Sequence, residues 1–119
     1  MLALIRDDEN AVRLADRPTP AIVADTDVLV RIRAAAVCST DAAIVSGAFG
    51  GTTPRILGHE VAGEVVQVGP AVTTLAPGDR VALQPTIYCG ACPSCAKGNW
   101  HLCPNRSFVG LDADGGFAE

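Results

Sequence analysis

Large aromatic side chains are scarce, with one Trp, one Tyr and three Phe in 119 residues. A core must therefore come from Val, Ile, Leu and Ala, an inventory suited to packed β-structure. Apolar residues make up 49% of the chain, enough for one hydrophobic core at a length typical of one domain. Basic clusters are missing: beyond Arg31 and Arg33 the cations are scattered, and the net charge is −4. That excludes the electrostatic footprint of a nucleic-acid binder. No apolar run approaches the length of a membrane span. The opening Met1–Ile5 is too short for a signal peptide, and the Arg6-Asp7-Asp8-Glu9 that follows reverses its charge order. A cytoplasmic chain that meets neither nucleic acid nor membrane is expected.

Cysteine is concentrated in one place. Four of the five cysteines fall in Cys89-Gly-Ala-Cys92-Pro-Ser-Cys95-Ala-Lys-Gly-Asn-Trp-His-Leu-Cys103. This spacing lets thiolates from one loop converge on a single ion as a tetrahedral S4 site. Zn²⁺ is the default occupant of four thiolates with no open position. Two other readings stand beside it. Cys89, Cys92 and Cys95, with Pro104 after the last cysteine, partly echo the bacterial ferredoxin pattern of an iron–sulfur protein. Disulfides or free thiols form the third reading, opposed by the lack of a secretory signal.

Along the chain, Leu2–Arg6 and Ala11–Leu14 read as strands of an opening hairpin around the acidic turn Asp7–Asn10. From Asp27 to Val37, Val28, Val30 and Ile32 alternate with Leu29, Arg31 and Arg33, the period of a half-buried strand. Ser39 can cap a short helix through Val45 that Gly47 ends. Cys38 then sits at the helix N-terminus, where the macrodipole favours the thiolate that ligates metals; a buried structural cysteine is the competing reading. The second half of Ile56–Gly69 alternates like a strand, and Gly58, Gly63 and Gly69 mark bends, bulges or close approaches. His59-Glu60 reads as a metal-site candidate or as a hydrogen-bonded structural histidine. Arg80–Gln84 and Phe108–Leu111 are predicted strands, Pro77-Gly78-Asp79 a turn, and Asp114-Gly115-Gly116 a tight turn. Short strands with Gly and Pro turns and little helix describe a mainly β barrel or sandwich.

Taken together, these residues resemble the zinc-dependent medium-chain alcohol dehydrogenase family. The resemblance rests on Gly58-His59-Glu60 with Gly63 and Gly69, on Pro77-Gly78-Asp79-Arg80-Val81, on Cys38-Ser39-Thr40-Asp41 and on the four-cysteine loop. It covers about Val28 to Glu119. The loop and the ending Gly115-Gly116-Phe117-Ala118-Glu119 look most similar to the polyol and threonine dehydrogenase branch. The resemblance implies a GroES-like β-barrel catalytic domain over residues 1–119. It implies that Cys38 and His59 ligate a catalytic zinc, with Glu60 beside the metal or as an exchangeable ligand. There the zinc acts as a Lewis acid on an alcohol or polyol that gives hydride to NAD(P)⁺. Thr40 matches the hydroxyl that hydrogen-bonds the substrate oxygen. Cys89, Cys92, Cys95 and Cys103 match the ligands of a structural zinc.

The chain departs from that pattern in two respects. Ala43 stands where many members carry a proton-relaying histidine, and His101 reads as a loop histidine outside both metal sites. No Gly-x-Gly-x-x-Gly follows a strand, so the dinucleotide-binding domain is expected to be absent, and the third catalytic-zinc ligand to lie beyond Glu119. The chain is thus expected to be the N-terminal part of an enzyme that is a homo-oligomer at full length, inactive alone and with exposed sheet edges. A small iron–sulfur electron carrier and a non-catalytic zinc-stabilised scaffold are the competing functions.

Overall fold

The computed structural model describes residues 1–119, with eight short strands, two helices and a 3₁₀ turn. β1 (Leu2–Arg6) and β2 (Val12–Asp16) form the expected hairpin, running antiparallel from Leu2 opposite Asp16 to Arg6 opposite Val12. Asp7 Oδ1 closes the turn by accepting the N–H groups of Glu9 and Ala11 at 3.1 and 2.9 Å. β2 starts and ends later than the alternation of Ala11–Leu14 suggests, because its bounds follow its pairing with β1.

β3 (Val28–Ala36) pairs antiparallel with β5 (Glu60–Val68), and β5 pairs in turn with β6 (Arg80–Ala82). Val61, Gly63 and Val65 are buried along β5 while Glu60 and Ala62 face solvent, the expected period of two, which breaks where the register skips Val66 and leaves Gln67 exposed. The register slips between Ile32 and Ala34, so Arg33 bulges out of the ladder. Gly63 lies opposite this bulge, and a Cβ there would collide with the Arg31 carbonyl oxygen. β6 stops at Ala82, short of the predicted Gln84. Leu83 still donates its N–H to the Val61 carbonyl, and Pro85, which lacks an N–H, lies just beyond.

β4 (Arg55–Ile56) adds to the free edge of β1. The end of the chain then threads between these segments. Gly115, Gly116 and Phe117 donate to the carbonyls of Ile56, Gly58 and Leu57, while Leu4 donates to Phe117 at 2.8 Å. Asp114–Gly116 thus forms no hydrogen-bonded tight turn of the kind predicted for it, only a bend at Gly116. The turn lies earlier, where the Phe108 carbonyl accepts the N–H groups of Leu111, Asp112 and Ala113. It also cuts short the strand expected over Phe108–Leu111, leaving β8 (Ser107–Phe108) paired with β7 (Thr86–Ile87).

Ala3, Ile5 and Ile56 form a compact core against Met1, Ala15 and Ala118. The fold is mainly β as expected, but the strands divide into three separate sheets and do not form one closed hydrogen-bonded barrel. A cavity of about 540 Å³ separates Met1 and Ile56 from Leu29 and Ile32 of the second sheet.

Between β3 and β4 stands α1 (Ser39–Val45). Its N-cap is Cys38, with φ −96° and ψ 154°, so Ser39 is the first helical residue and not the cap. The reason is Asp41, whose Oδ2 accepts the Cys38 N–H at 2.9 Å from the third helical position, as an acid does in a capping box. Gly47, at φ 77°, ends the helix as expected. Arg6 of β1 is buried and donates through Nη1 to the Ile44 carbonyl at 2.7 Å, tying the helix C-terminus to the first sheet.

Candidate metal centres

Two clusters of metal-ligating side chains emerge. In the first, Cys38, His59 and Glu60 come from separate parts of the chain, yet their donor atoms all lie within 4.8 Å of one another. Cys38 is placed by the start of α1. His59 is placed by Gly58, which turns the chain at φ 92° and leaves the space a Cβ would need to the Phe117 ring. Glu60 then opens β5. The His59 side chain is only 5% exposed; its ring lies 5.2 Å from that of Phe108, and Nδ1 lies 3.3 Å from Asp41 Oδ1. The approach falls short of a hydrogen bond, and neither of these buried polar atoms has any other partner. A carboxylate facing Nδ1 puts the proton there and leaves Nε2 as the free donor, the arrangement that orients metal-binding histidines. One sulfur, one nitrogen and one carboxylate oxygen leave a position open for another ligand, the donor chemistry of a catalytic zinc site.

The second cluster holds Cys89, Cys92, Cys95 and Cys103, whose sulfurs also lie within 4.8 Å of one another. Cys92 caps the four-residue helix α2 (Pro93–Ala96), its sulfur accepting the Cys95 N–H at 3.5 Å. Cys103 follows the 3₁₀ turn Trp100–Leu102 and is fully buried. Zn–S bonds of about 2.3 Å put the sulfurs of a tetrahedron about 3.8 Å apart. The Cys89 sulfur lies 4.0 Å from that of Cys95 and 3.6 Å from that of Cys103. A multi-iron cluster spreads its cysteines over more than one metal atom and needs more room than this. A disulfide needs a separation of about 2.05 Å, and all five cysteines are free.

Charge within the second cluster is uneven. N–H groups of Ala91 and Cys92, with the Cys103 thiol, hold the Cys89 thiol down at about 6. Burial first, and then the neighbouring Cys92 thiol, push Cys95 up to about 12. A cation binding all four sulfurs as thiolates must displace protons here, Cys95 being the most reluctant.

The alcohol dehydrogenase GroES-like domain family matches residues 24–119. The chain belongs to this family. It is similar to the L-threonine 3-dehydrogenase of Symbiobacterium thermophilum, 44% identical over 110 residues that cover 89% of this chain and 31% of that protein. The crystal structure of galactitol-1-phosphate dehydrogenase from Escherichia coli superposes with a TM-score of 0.93 at 36% identity, covering all of this chain and 34% of the other. A cobalt- and zinc-bound alcohol dehydrogenase from Pyrobaculum aerophilum superposes with a TM-score of 0.86 at 30% identity, over 98% of this chain and 36% of the other. The chain thus spans about a third of the length of such relatives.

On this GroES-like domain, Thr40 sits in the first turn of α1, half-buried on the wall of a cavity of about 650 Å³. His59 and Glu60 border a neighbouring groove, and Phe108 lines both spaces. Ala43 is half-buried on α1. His101 is exposed and belongs to neither metal cluster, but it shares the cavity wall with Thr40. The residue that sequence reasoning missed is Asp41, which binds Cys38 and faces His59 at once. Its signal in the sequence is slight: an acid at the third position of a helix that starts directly on a candidate ligand.

Proposed function

We propose that this chain is the metal- and alcohol-binding part of a zinc-dependent alcohol or polyol dehydrogenase that transfers hydride from its substrate to NAD(P)⁺. The observation that carries the reading is the convergence of Cys38, His59 and Glu60 donors within 4.8 Å around a buried His59–Asp41 pair. Zinc held by this trio supplies the Lewis acidity that makes an alcohol hydroxyl easier to deprotonate. Asp41 holds the Nδ1 proton and so fixes the ring orientation of His59. Glu60, exposed at the start of β5, is free to approach or leave the metal. Thr40 offers a hydroxyl that accepts the substrate proton while donating its own, two residues from Cys38 on the same helix. With Ala43 in place of an imidazole, the proton passes from Thr40 to water. Cys89, Cys92, Cys95 and Cys103 hold a second zinc, closed to substrate, that shapes the lobe. The strands pair antiparallel, without the parallel βαβ unit that binds dinucleotides, so the hydride acceptor is held by other parts of the enzyme. Five free cysteines fit a cytoplasmic setting, and no helix is long and apolar enough to cross a membrane.

Elemental analysis tests this. The wild-type chain is expected to carry about two zinc ions and Cys38→Ala about one. One zinc in both proteins means that only the four-cysteine loop is filled and that the trio needs the further ligand expected beyond Glu119. No zinc in either overturns both metal sites, and iron in place of zinc overturns the dehydrogenase reading.

A further inference from the structure

The cavity that Thr40 lines is also bordered by two nitrogen-bearing side chains. His101 stands there on the 3₁₀ turn, and Arg106 follows on the strand-bound exit from the four-cysteine lobe. At about 650 Å³ the space suits a small metabolite. In a chain of net charge −4, most arginines are already engaged. Arg13, Arg17, Arg33 and Arg55 pair with carboxylates, and buried Arg6 holds backbone carbonyls. Arg31, Arg80 and Arg106 have no such partner, and of these only Arg106 lines the cavity. Asp112 is the one carboxylate on the cavity wall, and its Oδ2 is taken by the Phe108 N–H at 2.9 Å.

A guanidinium fork matches the paired oxygens of a phosphate or carboxylate. An imidazole offers an N–H donor in either protonation state. We infer that His101 and Arg106 hold an anionic substituent of the substrate, a phosphate ester or a carboxylate, while its reacting hydroxyl meets Thr40. This rests on the proposed function above and narrows it. A neutral polyol would leave Arg106, the one guanidinium on the cavity wall, without a charged partner. The two side chains thus set specificity from a lobe whose metal takes no part in the chemistry.

The test uses three matched ligands, glycerol, glycerol 3-phosphate and glycerate, added to zinc-loaded, isotope-labelled protein. Nuclear magnetic resonance follows the Arg106 and Ser107 amides and the His101 ring. At least one anion is expected to bind about tenfold or more tighter than glycerol, and the better anion identifies the substituent. Arg106→Gln and the double variant with His101→Gln should remove the preference. Both residues are exposed, so spectra elsewhere should stay unchanged, which controls for folding. Equal affinity for the three ligands, no binding of either anion, or a preference that survives the double variant overturns the inference. Zinc measured on the same sample separates the two claims. An anion preference with no zinc at either cluster sinks the zinc-dependent reading alone; bound zinc without preference sinks only the anionic wall.

Discussion

Asp41 holds the Cys38 N–H with one carboxylate oxygen at 2.9 Å and turns the other, otherwise unpartnered, toward His59 Nδ1 at 3.3 Å. One side chain thereby fixes the positions of two candidate ligands that the chain brings in from different elements. Replacing it with Asn keeps an oxygen for the cap but removes the charge that holds the Nδ1 proton. Asp41→Asn is therefore expected to lower zinc affinity at the Cys38 site about 10- to 100-fold while leaving the four-cysteine site unchanged. Competition against a chromophoric chelator reads the two sites separately, and wild-type affinity at the first would show that His59 needs no such partner. The two centres differ in legibility for a physical reason. The four cysteines lie within one loop, so spacing alone brings their thiolates together. Cys38 and His59 meet only through the packing of α1 against the β5 entrance, which no local pattern encodes. Family resemblance raised them as ligands, and Asp41 stayed hidden because its partner is tertiary.

The acidic turn located β1, and alternation located β3 and β5, whose apolar faces are half-buried and buried respectively; the bounds drifted wherever pairing or a side chain set the end instead. The turn before β3 shows the second case. Asp27 Oδ2 accepts the N–H groups of Ala24 and Val23 at 2.8 and 3.0 Å, and its carbonyl accepts the Gly69 N–H at 2.8 Å. These contacts join the start of β3 to the end of β5. The Ala24 and then the Val23 N–H hold the Asp27 carboxyl below its ordinary value of 3.8. A carboxyl depressed in the folded state adds stability that is present above the unfolded pKa and lost as pH falls through the folded one. Acidification from about pH 5 to about pH 3 should thus lower the urea midpoint of the wild type more than that of Asp27→Asn, whose amide does not titrate. Parallel midpoint curves for the two proteins would remove Asp27 from the acid response.

At the scale of the molecule, composition correctly indicated a mainly β chain without large rings in its core, but not how its last residues thread between β1 and β4. Gly115–Glu119 complete the first sheet through contacts distant in sequence, which alternation cannot register. The lobe between β7 and β8 has a different source of order. Within residues 89–103 only Cys95 and Cys103 are buried, while Trp100 stacks on Tyr88 at the surface with ring centroids 5.0 Å apart. A segment with so little apolar burial depends on an ion to close it, whereas the sheets carry their own cores and ladders. Its stem is short, with Thr86 opposite Phe108 and Ile87 opposite Ser107. Stripping metal with a chelator should therefore free the lobe and leave the body folded. Hydrogen exchange is expected to accelerate across residues 89–106, with protection of β1, β3 and β5 retained. Restoring zinc should restore the lobe's protection. If protection is instead lost throughout the chain at the same chelator concentration, the lobe and sheets form one cooperative unit, and the metal stabilises the whole fold.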